Sequence, residues 1–190
     1  MKKDIIMAGV GGQGILSIAT VIGRAAIENG MSLKQAEVHG MSQRGGDVQS
    51  HLRISTNPIA SDLIPEGKAD LIISIEPMEA LRYLPMLHKD GWIITNTEPF
   101  KNVPNYPKEE DLSACLKKQK NIIAFNADQI AKDMNAPRSA NMVILGAAVD
   151  KLGLPFEEFE KAVRSIFKSK GEEIIEMNLK ALRKGCEMAK

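Results

Sequence analysis

The sequence predicts an α/β protein, a doubly wound and mostly parallel but mixed sheet with helices on both faces and a helical C-terminal region. Three observations carry that expectation. Ile5 to Val10 is an apolar run that meets glycines at once, which reads as a buried parallel strand. Strand-like and helix-like segments alternate over the first two-thirds of the chain, as a doubly wound sheet requires. The last 60 or so residues carry only helical periodicity, roughly Ala127–Met134, Ala140–Leu152, Phe156–Lys168 and Glu172–Met188, with Gly153 and Gly171 as stops.

The elements between are assigned by the same rules. Ile15, Ile18, Ala19, Ile22 and Ala26 recur at helical spacing, and Gly30 ends that helix. Leu33 to Val38 is a weaker second strand. Val48, Ser50, Leu52 and Ile54 alternate with Gln49, His51 and Arg53, the period of a half-buried strand. Thr56-Asn57-Pro58 is turn chemistry, so Ile59 to Ile64 is expected to return as a hairpin and make the sheet mixed. Asp70 to Ile75 is a buried strand, and Pro77 suits the first position of a helix from Met78 to Leu87. Gly91 to Thr95 and Asn121 to Phe125 are further strands, with a charged helix from Lys108 to Gln119 between them. The segment from Glu98 to Pro107 holds Pro99, Pro104 and Pro107 and is the longest irregular loop.

Totals narrow the function classes. The 190 residues fit a single domain, 1–190, with ample core. The 25 Lys and Arg against 24 Asp and Glu argue against nucleic acid or an anionic membrane as partner. Cys115 and Cys186 lie 71 positions apart with no metal-ligand spacing around them, which suits a reducing cytoplasm and no metal. The first apolar run is too short for a leader or a membrane span.

Two segments point to chemistry. Gly9-Val10-Gly11-Gly12-Gln13-Gly14 joins the first strand to the first helix as G-x-G-x-x-G with a glycine to spare. Glycines let main-chain N–H groups approach an anion, and the helix adds its positive end, so a phosphate or pyrophosphate is the natural guest. The bland alternative is a tight turn with close packing. Glu37, 23 residues beyond Gly14, suits the ribose of NAD(P) or is a solvated strand end. The second segment, His39-Gly40-Met41-Ser42-Gln43-Arg44-Gly45-Gly46-Asp47, follows the second strand. Arg44 there is either a bidentate clamp for phosphate or carboxylate or a surface ion pair. Ordinary NAD(P) domains need no such loop. His39 is expected as a hydrogen-bonded loop residue, His51 as an outward, solvated strand residue, and His88 as a dipole-compensating or surface group near a helix end.

Together, G-V-G-G-Q-G at Gly9–Gly14 and Glu37-Val38-His39-Gly40-Met41-Ser42-Gln43-Arg44-Gly45-Gly46 resemble the gamma subunit or domain of the 2-oxoacid:ferredoxin oxidoreductases. Within that family the chain resembles the smaller (beta) subunit of the indolepyruvate kind, along essentially its whole length, Asp70 to Pro77 and Asn141 to Val149 included. The resemblance implies oxidative decarboxylation of a 2-oxoacid to an acyl-CoA with reduction of ferredoxin, inside a multi-subunit complex. It implies that thiamine diphosphate and iron–sulfur clusters sit in a larger partner subunit. Two distant thiols agree, since a cluster needs four ligands. Gly9, Gly11, Gly12, Gln13 and Gly14 are then expected to line the path of coenzyme A, with Ser42, Gln43 and Arg44 completing it or facing the partner's thiamine site. The competing readings are a free-standing NAD(P)-binding Rossmann-type protein and a scaffold whose glycine turn is only structural.

Overall fold

A computed structural model describes residues 1–39 and 45–190. Six strands form one sheet in the order β2-β3-β1-β4-β5-β6. They are β1 (Lys2–Val10), β2 (Ser32–His39), β3 (Asp47–Ser55), β4 (Ala69–Ser74), β5 (Leu87–Asn96) and β6 (Ile122–Phe125). β1, β4, β5 and β6 run parallel, whereas β3 is antiparallel to both β1 and β2. The helices are α1 (Ile15–Glu28), α2 (Pro77–Arg82), α3 (Glu109–Lys117), α4 (Ala127–Asp133), α5 (Ala140–Leu152), α6 (Phe156–Phe167) and α7 (Glu172–Met188).

Alternation along the central strands builds a core on each face. Ile5, Met7, Leu71, Ile73 and Ile94 point to the larger core, packed by α1, α5, α6 and α7. Ile6, Ile72 and Ile93 point to the smaller one, covered by α2 and its flanks. Burying both faces is why β1 and β4 read as unbroken apolar runs. The sheet is mixed as expected, but by a different device from the expected hairpin. Ile59–Ile64 forms no strand; its main chain bonds to side chains of β3. Arg53 donates from Nη1 to the carbonyls of Ser61 (3.0 Å) and Leu63 (2.8 Å), and the Ile64 N–H donates to His51 Nδ1 (3.0 Å). Arg53 also pairs bidentately with the buried Asp4 of β1, which fixes the register of β3 beside it.

One histidine therefore sits otherwise than expected. His51 is 7% exposed and inward, its Nε2 beside the Gln49 amide at 3.0 Å. His88 is a surface group as expected, although it lies at the start of β5, where Nδ1 accepts the Asp90 N–H. The helix expected to reach Leu87 stops at Tyr83, because a 3₁₀ turn with Pro85 follows, and β5 starts at Leu87. The register shift between β4 and β5 falls where a Cβ on Gly91 would come within 3.0 Å of the Ala69 carbonyl. Only the part beyond that irregularity looks like a strand in the sequence.

The closest helix contact joins α5 and α7. A Cβ at Gly146 would lie 2.0 Å from the Leu182 carbonyl oxygen, and one at Gly185 would lie 1.8 Å from that of Val143. Gly146→Ala and Gly185→Ala are each expected to destabilise by about 2 kcal/mol or more, read as a lower urea midpoint at constant m-value. Burial lowers the pKa of His51, opposed by Asp62 and helped by Arg53. A depressed folded pKa means full stability above the unfolded value near 6.5, lost as pH falls through the folded value. The slope of unfolding free energy between about pH 6.5 and 5 is therefore expected to be shallower in His51→Gln than in the native chain.

Candidate functional site

The strand order reverses between β1 and β4, so the crevice beyond their carboxyl ends is where a doubly wound sheet receives ligands. Gly11–Gly14 lie at that crevice. The turn is closed by Gln13, whose N–H donates to the Val10 carbonyl (3.1 Å) and whose Oε1 accepts the Val10 N–H (2.8 Å). Gly12 and Gly14 take φ of +104° and +86°, where a side chain is strained. At Gly9 a Cβ would meet the Ile15 side chain at 2.8 Å, so this glycine serves close packing of strand on helix.

Gly11 has a third task. Its N–H donates to the Gly46 carbonyl (2.8 Å) and its carbonyl accepts the Gly45 N–H (3.3 Å). These bonds tie the first glycine segment to the end of the second. They also remove the Gly11 amide from the set open to a ligand. Among the described residues, no acceptor takes the N–H groups of Gly12, Gly14, Ile15 or Leu16. The helix that follows has no side-chain cap and no acidic residue in its first turn. Among the described residues nothing compensates its positive end, which faces a hollow of about 410 Å³ lined by Val10, Gly12, Ile15, Leu16, Glu37 and Val48. A Cβ at Gly12 would meet nothing within 4 Å, so an outside group has room to approach the main chain there.

The expected site residues thus fall into three sets. Gly12 and Gly14 present amides, Gly9, Gly11 and Gln13 build and brace the turn, and Ser42, Gln43 and Arg44 lie outside the described residues, as does the His39 side chain. Glu37 does reach the same hollow, although β3 stands between its strand and β1. Among the described residues no cluster of three His, Cys, Asp or Glu could hold a metal ion.

Two features of the crevice escaped the sequence reading. Asn141 at the start of α5 donates from Nδ2 to the Gly14 carbonyl (3.3 Å) and buttresses the turn across 127 residues. Glu76, fully buried after β4, accepts the Glu79 N–H (2.8 Å), the Phe100 N–H (3.4 Å) and the Tyr106 hydroxyl. Burial, followed by that bond to Glu76, pushes the Tyr106 phenol upward. Next to it Glu79 is 1% exposed; burial raises its pKa against the pull of its ion pair with Arg82. A Glu that caps a helix start carries a weak signal, Glu76-Pro77, but its reach to residues 100 and 106 is a tertiary fact. A Cβ at Gly14 would lie 2.5 Å from Asn141 Nδ2 at a positive φ. Gly14→Ala is expected to destabilise by about 2 kcal/mol, and Asn141→Ala to relieve the clash but not the φ strain, recovering part of the loss in a thermal melt of the double variant.

Comparison with known proteins gives the family of the chain. Residues 4–188 match the family described as pyruvate ferredoxin/flavodoxin oxidoreductase. The chain is 39% identical, over 100% of its length and 96% of the relative's, to the indolepyruvate oxidoreductase subunit IorB of Archaeoglobus fulgidus. Its fold is similar to the gamma subunit of the keto/oxoacid ferredoxin oxidoreductase of Geobacter sulfurreducens, with a TM-score of 0.73, 28% identity and 98% of each chain covered. The 2-oxoglutarate:ferredoxin oxidoreductase of Magnetococcus marinus, solved with 2-oxoglutarate, coenzyme A and succinyl-CoA, shares the fold at TM-score 0.76 and 21% identity; 99% of this chain covers 31% of that one. The chain therefore belongs to the pyruvate ferredoxin/flavodoxin oxidoreductase family and corresponds in extent to its small subunit.

Proposed function

We propose that the chain is the small subunit of a 2-oxoacid:ferredoxin oxidoreductase acting on arylpyruvates such as indolepyruvate. In this reading it offers an anion-receiving turn to coenzyme A where it meets a larger subunit. The observation that carries the reading is the group of main-chain N–H donors at Gly12, Gly14, Ile15 and Leu16, open to the hollow in a chain of this family. Full-length similarity to an indolepyruvate oxidoreductase subunit supports the substrate class. The larger subunit holds thiamine diphosphate, which supplies the carbanion chemistry, and iron–sulfur clusters, which pass electrons to ferredoxin. Cys115 and Cys186 are both free thiols and too few for a cluster. Action in the cytoplasm belongs to the same reading, as free thiols suit a reducing compartment. No helix among the described residues is long and apolar enough to cross a membrane.

What this chain's residues do follows from the site. The N–H groups receive the pyrophosphate without a side chain standing between, and the α1 terminus lowers its energy further. Leu16, half exposed at the rim, offers an apolar surface to the adenine or the pantetheine arm. Glu37 carries negative charge into the same hollow, so the group beside it is a hydroxyl or an amine. The 3′-phosphate of coenzyme A must point away from it.

Glu37 is also the observation that favours the second reading, a free-standing NAD(P)-binding protein. Against it, β2 is an outer strand separated from β1, so Glu37 does not stand on the strand adjoining the glycine turn as in a dinucleotide fold. Calorimetry of the purified chain separates the two: NAD binding abolished by Glu37→Ala supports the nucleotide reading and sinks the first.

The main test is reconstitution. Co-expressed with its large partner, the chain is expected to give arylpyruvate- and coenzyme A-dependent reduction of a ferredoxin, with no turnover from either subunit alone. Gly12→Ala fits the open space but strains a φ of +104°, so about 1 kcal/mol of stability is expected to go. Assembly should survive, and KM for coenzyme A should rise about tenfold, equivalent to about 1.4 kcal/mol. An unchanged KM in an intact complex removes the glycine turn from the coenzyme path.

A further inference from the structure

Glu76 is a buried carboxylate that no Lys, Arg or His among the described residues pairs with. Such a charge is tolerated only where donors surround it. One oxygen, Oε2, is used by the start of α2 through the Glu79 N–H (2.8 Å). That task alone needs no carboxylate, since Asn or Ser caps a helix as well. The other oxygen, Oε1, goes wholly to the Pro-rich loop, through the Phe100 N–H and the Tyr106 hydroxyl.

Between those two anchors lies Asn102, whose Nδ2 donates to the Gly45 carbonyl (2.8 Å), 57 residues away in sequence. Gly45 and Gly46 in turn hold Gly11 through the paired main-chain bonds already described. A continuous series of hydrogen bonds thus leads from the end of β4, over the loop that leaves β5, to the turn that ends β1. We propose that Glu76 is a positioning residue for the glycine turn: it anchors residues 100–106 as a strap, and Asn102 on that strap holds Gly45 and Gly46 against Gly11. The strap controls where the main-chain donors of the turn stand without itself touching the ligand. That the ligand is coenzyme A rests on the function proposed above; the strap does not.

The full-length chain and the reconstituted complex are used with Tyr106→Phe, Asn102→Ala and the double variant. Tyr106→Phe removes one hydroxyl and leaves the α2 cap intact, so it avoids the folding risk of replacing Glu76. Amide hydrogen exchange by NMR is expected to accelerate about fivefold at Gly11 and Gly45 in each single variant, and no further in the double, because both act through one strap. Exchange at Gly11 and Gly45 that stays at native rates while residues 100–106 exchange faster overturns the strap. So does a double variant whose effect is the product of the two. In the complex, KM for coenzyme A should rise more than kcat falls, which general loss of stability does not produce. Faster exchange at Gly11 with an unmoved KM for coenzyme A upholds the strap and removes the coenzyme from the turn. Native exchange at Gly11 and Gly45 defeats the strap whatever KM does.

Discussion

The paired main-chain bonds between Gly11 and Gly45–Gly46 are the constraint on which the site depends. They join the end of the central strand to the segment that leads into its antiparallel neighbour. Because β1 lies between β3 and β4, with its residues from Asp4 to Val10 buried, its carboxyl end cannot shift without disturbing the middle of the sheet. The turn is therefore held in a rigid frame, which fixes the N–H groups that no described residue accepts. Glycine is required here for two separate reasons. Gly12 and Gly14 take positive φ, whereas Gly9 allows close approach of the Ile15 side chain.

Around that frame the chain distributes its polar groups along the carboxyl edge of the sheet. Asn96 donates to the Ile75 carbonyl (3.2 Å) and Asp128 (2.6 Å) and accepts the Ala127 N–H (2.9 Å), joining β4, β5 and the start of α4. Glu76 does the same for α2 and the Pro-rich loop, and Asn141 for α5 and the turn. Each is a side chain that takes main-chain groups left over at an element's end. The opposite edge is held differently, by the buried Asp4–Arg53 pair. The candidate site and this ion pair thus lie at opposite ends of the strands.

The small-subunit character of the chain, shown by its relatives, suits the chemistry proposed for this edge. In the function proposed above, a set of main-chain donors with an apolar rim orients an anion, a task distinct from proton transfer or electron transfer. Oxidative decarboxylation needs an electron sink and an electron path. An orienting turn makes sense when both are brought by a partner, which fits a family whose members are named as subunits.

How far the sequence could be read depends on the range of the interaction that decides each feature. The strand from Ile5, the glycine turn, α5 and α7 were legible because continuous burial, glycine stops and helical spacing act over a few residues. The hairpin expected at Ile59–Ile64 was not realised because Arg53 and His51 capture that segment's main chain, and whether those side chains face inward is settled only when β3 inserts beside β1. His51 illustrates the same limit: period two gives two faces but not which is covered. By itself, then, the sequence determined the class of fold and a glycine-rich turn between the first strand and the first helix, since both arise from local conformational freedom and patterning. The sheet order, the commitment of Gly11 to Gly46, and the roles of Asn141 and Glu76 were decided by tertiary structure alone, because hydrogen bonds spanning 24 to 127 residues leave no mark in local pattern.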